Sequence, residues 1–215
     1  MRIAVLVVIV ALLAGGALVV ARQSGPPAPE APLVPSSKAS PPPAAEPKGP
    51  GPAKSGRAVD VDAAFKQLDL IRPAKLKPVN DFTLPMPGGK TFRLADYHGK
   101  MVFLNFWATW CEPCKEEMPA MERLWQQQKG QGLVLVAVSV DTDTKKVKPY
   151  LDEHKLTFPV GLDPKMDLAN AYGVRAVPSS FVVDRQGHLT AIALGPREWD
   201  NDASHSLIEG LLRSR

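Results

Sequence analysis

Six residues from Met101 to Phe106 (MVFLNF) form a nearly unbroken apolar run, and the next thirteen hold two cysteines, Cys111 and Cys114. A run of this kind reads as a strand buried on both faces, which calls for a helix-covered sheet. Pro113 follows at a position where proline is preorganised for a first helical turn. Met118, Met121, Leu124 and Trp125 then give one apolar face down to Gly130. The reading is strand, turn, helix, with Cys111 at the helix N-terminus. Unpaired backbone N–H groups and the helix dipole favour a thiolate there.

No other cysteine occurs in the 215 residues. A structural disulfide framework spreads several cysteines along a chain, and a four-ligand zinc site needs more than one pair supplies. Two inert buried thiols are the bland alternative. A lone C-x-x-C pair at a helix start reads instead as a redox pair, because the thiolate is the attacking species. Cys111 is then the nucleophile. Cys114, one turn further and more shielded, resolves the mixed disulfide.

The flanking pattern supplies the other elements. Val61, Ala64, Phe65 and Leu68 are at helical spacing in a segment from Val61 to Leu70 that Pro73 and Pro78 would end. Phe82-Thr83-Leu84 and Thr91-Phe92-Arg93-Leu94 flank Pro87-Gly88-Gly89-Lys90, a β-hairpin. Leu133 to Val140 is a second buried strand, and Thr144 to Lys155 a helix in which Pro149 predicts a kink or a late start. A short helix over Met166 to Tyr172 follows. Ser180 to Asp184 and Leu189 to Ala193 form a second hairpin, and Ser204 to Leu212 a closing helix. The order β-α-β-α-β-β-α behind an N-terminal hairpin predicts an α/β domain, a central mixed sheet with helices on both faces.

The first 57 residues are of another kind. Residues 3–21 carry no charge over 19 positions, close to the roughly 20 that span hydrocarbon as a helix. An uncleaved signal anchor over residues 1–21 is the favoured reading. A cleaved secretory signal is the alternative, with Val19-Val20-Ala21 as a weak site. Residues 22–57 hold 11 prolines in 36 positions. Missing donors and fixed φ exclude helix or sheet core there. An extended Pro/Ala-rich linker would reach up to roughly 110 Å at about 3.1 Å per residue. This leaves residues 58–215, about 155 residues, as one globular domain.

The net charge of +4 comes from Arg2 and the linker, whereas residues 58–215 carry 20 Lys/Arg against 20 Asp/Glu. No basic block points to nucleic acid. His98, His154, His188 and His205 are scattered without metal-ligand spacing, so no metal site is expected.

Phe106-Trp107-Ala108-Thr109-Trp110-Cys111-Glu112-Pro113-Cys114 resembles the active-site signature of the thioredoxin superfamily. Lys115-Glu116-Glu117-Met118-Pro119 and the Asp81-Phe82-Thr83-Leu84 to Gly99-Lys100 hairpin region are similar to the membrane-anchored TlpA/ResA/CcmG branch. So is Gly173-Val174-Arg175-Ala176-Val177-Pro178 followed by Ser179 to Asp184. The resemblance covers roughly residues 76–215. It implies a thioredoxin-like three-layer α/β/α sandwich with an N-terminal hairpin extension, and a cis Pro178 facing the cysteines. Val177 would then offer its backbone to a substrate strand. A trans proline opening an edge strand is the alternative. Ser179 and Ser180 stand where the branch usually has threonine.

Asn105 replaces the buried acid of thioredoxin and cannot carry a proton. The branch places an acid three residues after the second cysteine, here Glu117, as proton partner of Cys114; an ordinary solvated glutamate is the alternative. Trp110 is assigned to shielding and docking, against a packing role, and Trp107 to the core. Glu112-Pro113 is a reductase-like insert that tunes the pair.

The resemblance further implies a thiol–disulfide oxidoreductase with no cofactor beyond the Cys111–Cys114 disulfide. Its substrate would be the disulfide of an exported protein, an apocytochrome c or a copper-delivery protein. A transmembrane thiol donor of the CcdA or DsbD type would supply electrons, which places the domain on the periplasmic side of the cytoplasmic membrane. A general oxidase or isomerase, a thiol peroxidase and a non-enzymatic Cu(I)-binding module are the competing functions.

Overall fold

A computed structural model describes residues 60–214 of the chain. The anchor (1–21) and linker (22–57) expectations lie outside the described residues. Among the described residues, no helix is long and apolar enough to cross a membrane.

The apolar run becomes strand β3, Met101–Trp107, and Leu133–Ser139 becomes β4, with every residue of both strands buried. The two pair in parallel from Met101↔Leu133 to Trp107↔Ser139. Alternate strand residues face opposite sides of a sheet, so full burial requires cover on both faces. On its other edge β3 pairs antiparallel with β6, Ser179–Val183, which continues into β7, Leu189–Leu194. A fifth strand, β5, Val160–Leu162, pairs in parallel with β4. The order β5-β4-β3-β6-β7 makes the expected central mixed sheet.

Strand β5 is the element the sequence reading left out. Three residues containing Gly161 give no periodicity; their strand geometry comes from pairing with β4. Gly161 has a further role. A Cβ there would lie 2.5 Å from Cδ1 of Leu84. Its absence lets the N-terminal hairpin, β1 (Thr83–Pro85) and β2 (Thr91–Arg93), pack against β5.

The helices follow their caps. Helix α1, Val61–Gln67, starts at Asp60, whose side chain accepts the Ala63 N–H. It stops before the expected Leu70 and well before Pro73. Asp69 takes a left-handed φ of 49°, and the N–H groups of Asp69 and Leu70 bond back to the carbonyls of Lys66 and Phe65. This is a Schellman ending with Asp where Gly is usual. Pro149 gives the late start: Thr144–Lys146 is a 3₁₀ turn, and α3 spans Val147–Glu153 with the proline in its first turn. Helix α2 spans Glu112–Gln128, α4 Asp167–Ala171 and α5 Asp202–Arg213. Met118, Met121 and Leu124 of α2 are buried in one core with Phe65 of α1 and Leu207 and Ile208 of α5.

Candidate active site

The chain leaves the C-terminal end of β3 and turns once before α2. That turn is tied to the end of β4. Buried Asp141 accepts the Thr109 N–H at 2.9 Å, the Thr109 hydroxyl at 2.6 Å and the Ser139 hydroxyl at 2.8 Å. Cys111 comes next as the N-cap of α2, and its Sγ accepts the Cys114 N–H at 3.3 Å. Sulfur thus takes the place a Ser or Asp oxygen usually fills at a helix start. Cys111 and Cys114 are joined as a disulfide, with 5.3 Å between their Cα atoms. Cys111 is 5% exposed and Cys114 fully buried, so Cys111 is the more accessible sulfur.

Opposite the pair, the Val177–Pro178 peptide bond is cis. The Val177 carbonyl oxygen lies 3.6 Å from Cys111 Sγ. Among the described residues, neither the N–H nor the C=O of Val177 enters a backbone hydrogen bond. Pro178 is buried and its carbonyl accepts the Gly195 N–H at 2.9 Å, while the Ser179 hydroxyl donates to the Ala176 carbonyl at 2.8 Å. The loop is therefore fastened on both sides of an unpaired Val177.

Glu117 lies three residues after Cys114, on the same face of α2. It is 4% exposed. Its Oε1 accepts Asn105 Nδ2 at 2.7 Å, and its Oε2 accepts the Arg197 N–H at 3.1 Å and the Trp199 indole N–H at 3.2 Å. Burial raises its pKa to about 7; the three donors and the charge of Arg197 oppose that rise but do not cancel it. A carboxyl in this state exchanges its proton near neutral pH. Asn105 also donates to the Ser180 hydroxyl at 3.0 Å, and its Oδ1 has no partner among the described residues.

A sequence profile described as the AhpC/TSA family matches residues 76–192, more than half of the chain. The chain belongs to the AhpC/TSA family. The chain is 39% identical over 125 residues to the thiol-disulfide oxidoreductase ResA of Geobacillus thermodenitrificans, covering 58% of this chain and 72% of that one. It is 42% identical over 115 residues to the ResA of Geobacillus kaustophilus, covering 54% and 66%. Among solved structures it resembles a candidate thiol:disulfide interchange protein DsbE from Chlorobium tepidum. The TM-score is 0.60 and the identity 35%, with 64% of this chain and 97% of that one covered. The protein is thus a thiol–disulfide oxidoreductase of the thioredoxin superfamily, on the ResA and DsbE side of it.

Within this family member, the structure brings Cys111, Cys114, Val177 and Pro178 together, and it places Glu117 three residues after Cys114 on α2, bonded to Asn105 of β3. It removes two alternatives: Glu117 is not solvated, and Pro178 is not trans. Trp110 is 68% exposed, which rules out a packing role, while Trp107 is buried in β3 as expected. Glu112 and Pro113 are exposed in the first turn. Glu112 pairs with Lys115 at 3.0 Å, a surface contact worth little. His98 bonds Asp81 at 3.0 Å and His188 lies 3.6 Å from Asp184.

Sequence reasoning missed Arg197, Trp199 and Asp141. The first two lie beyond the matched family region and reach Glu117 from about 80 residues away. Asp141 carried a usable signal, an acid directly after a fully buried strand.

Proposed function

We propose that the protein is an exported reductase that keeps substrate cysteines in the dithiol form, with residues 1–21 as membrane anchor and residues 22–57 as tether. The observation that carries the reading is a nearly buried cysteine pair at a helix N-terminus, followed about one turn along the helix by a buried carboxyl whose pKa is raised to about 7.

In this reading the Cys111 thiolate attacks a substrate disulfide, forming the Cys111–substrate bond and releasing one substrate thiolate. Glu117 takes the proton from the Cys114 thiol. The Cys114 thiolate then attacks Cys111 Sγ, which forms the Cys111–Cys114 disulfide and releases the second substrate sulfur. The released substrate thiolates take protons from Glu117 and solvent, while the substrate gains two electrons and the enzyme loses them. A dithiol donor of the CcdA or DsbD type restores them by the reverse exchange. Unpaired Val177 offers a short edge for substrate backbone, and exposed Trp110 an apolar platform beside it. Pro113 and Glu112 set the start of α2 that carries the thiolate. The substrate is an apocytochrome c or a copper-delivery protein, the reading suggested by similarity to the ResA and DsbE proteins.

Trapping in cells tests this. A Cys114→Ser variant cannot resolve its mixed disulfide and holds the natural substrate on Cys111. Capture of an apocytochrome c or a copper-delivery protein supports the reading. A broad spread of oxidised exported proteins would replace it with a general oxidase or isomerase role.

A further inference from the structure

The two oxygens of Glu117 have unequal surroundings. Oε2 receives two N–H groups from one loop, the Arg197 backbone and the Trp199 indole, whereas Oε1 faces a side-chain amide, that of Asn105. An oxygen that already accepts two N–H donors is a poor place for a hydroxyl hydrogen. Asn105 is different: turning its amide over would present Oδ1, which has no partner among the described residues, to a hydroxyl on Oε1.

The Trp199 ring is itself fixed. It is 1% exposed and meets Phe103 of β3 edge to face with 4.7 Å between ring centroids. The loop is held from outside by the Arg197 guanidinium, which donates to the Leu68 carbonyl at 2.6 Å and the Asp69 carbonyl at 3.0 Å, at the end of α1. Arg197 is the charged group that acts on the carboxyl. Strands β3 and β6 present the neutral Asn105 and Ser180, and Glu112, Lys115 and Glu116 of α2 are more exposed.

We propose that Trp199 is a positioning residue of the exchange reaction: with the Arg197 N–H it occupies Oε2 of Glu117 and confines the exchanging proton to Oε1. The proton then moves between Oε1 and the Cys114 sulfur. It goes to Cys114 when a donor thiolate attacks Cys111 and Cys114 leaves as thiolate, and returns when Cys114 resolves a mixed disulfide. This inference rests on the acid–base role proposed for Glu117.

The test uses the oxidised full chain in detergent micelles with labelled tryptophan, of which the chain has four. The Trp199 indole N–H resonance is expected to titrate with a midpoint near 7, the value at Glu117, and to be flat in Glu117→Gln. In Trp199→Phe, which keeps an aromatic ring but loses the donor, the inflection in the rate of mixed-disulfide resolution moves up by about one pH unit. A Trp199 resonance unmoved between pH 5 and 9 overturns the inference. So does a folded Trp199→Phe with the wild-type inflection, provided Glu117→Gln abolishes that inflection. If Glu117→Gln retains it, the acid–base role of Glu117 falls as well. Should Trp199→Phe not fold, the wild-type titration decides alone.

Discussion

Glu117→Gln should change how the stability of the protein depends on pH, and the size follows from the site. The folded carboxyl has a pKa near 7 against an ordinary 4.5. Between those values the folded state holds a proton that the unfolded state has lost. Stability therefore falls as pH rises through this window, and levels off for this group above about 7. The full change is roughly 3 kcal/mol, at about 1.36 kcal/mol for each tenfold change in proton affinity. The group is almost completely buried, so solvent screening removes little of it. Glutamine has nearly the same shape and no charge at any pH. Its oxygen can keep the Arg197 and Trp199 donors while its NH₂ meets a flipped Asn105 amide through Oδ1, which is now without a partner. Urea unfolding of the oxidised protein between pH 4 and 8.5 reads the difference between wild type and variant. That difference should move in favour of the variant by about 3 kcal/mol across the range. A difference constant to within about 1 kcal/mol would refute the argument that burial outweighs the donors around Glu117.

Two further substitutions probe how the site is supported. Asp141→Ala leaves the Thr109 and Ser139 donors without their acceptor and should cost about 2–4 kcal/mol. It should also slow the first exchange step, because the turn that delivers Cys111 loses its tie to β4; thermal unfolding and stopped-flow exchange measure the two effects. Gly161→Ala forces a Cβ against Leu84 and should cost about 1–3 kcal/mol. The double variant with Leu84→Ala should cost less than the two single variants together, and a double-mutant cycle with no coupling would deny that contact.

The site was legible in the sequence where chemistry is local and hidden where it is brought from afar. The strand, the cysteines and the first helical turn are contiguous, so their periodicity and Pro113 predicted the strand–turn–helix unit. The cis bond at Pro178 and the acid at Glu117 came through resemblance, since spacing alone left a trans proline and a solvated glutamate open. The partners that hold Glu117 could not be read. Asn105 is 12 residues before it and Trp199 is 82 after it; the packing of α2 against β3 joins the first, and that of the loop after β7 beside α2 joins the second. Strand β5 was missed for a related reason. Its geometry is imposed by β4, and tertiary pairing overrides the weak preference of three residues. The early end of α1 lies in backbone hydrogen bonds around Asp69, a residue whose type does not announce a left-handed turn.

The central claim, that Cys111 attacks and Cys114 resolves, is tested most directly by disulfide reduction with the purified full chain, using insulin as substrate and a chemical dithiol to regenerate the enzyme. Wild type should turn over. Cys111→Ala should show no turnover above the dithiol alone. Reduced Cys114→Ala, mixed with insulin after the dithiol has been removed, should accumulate one mixed disulfide per protein, located at Cys111 by mass spectrometry. Retained turnover in Cys111→Ala, or a trapped adduct on Cys114 in that variant, would contradict the account.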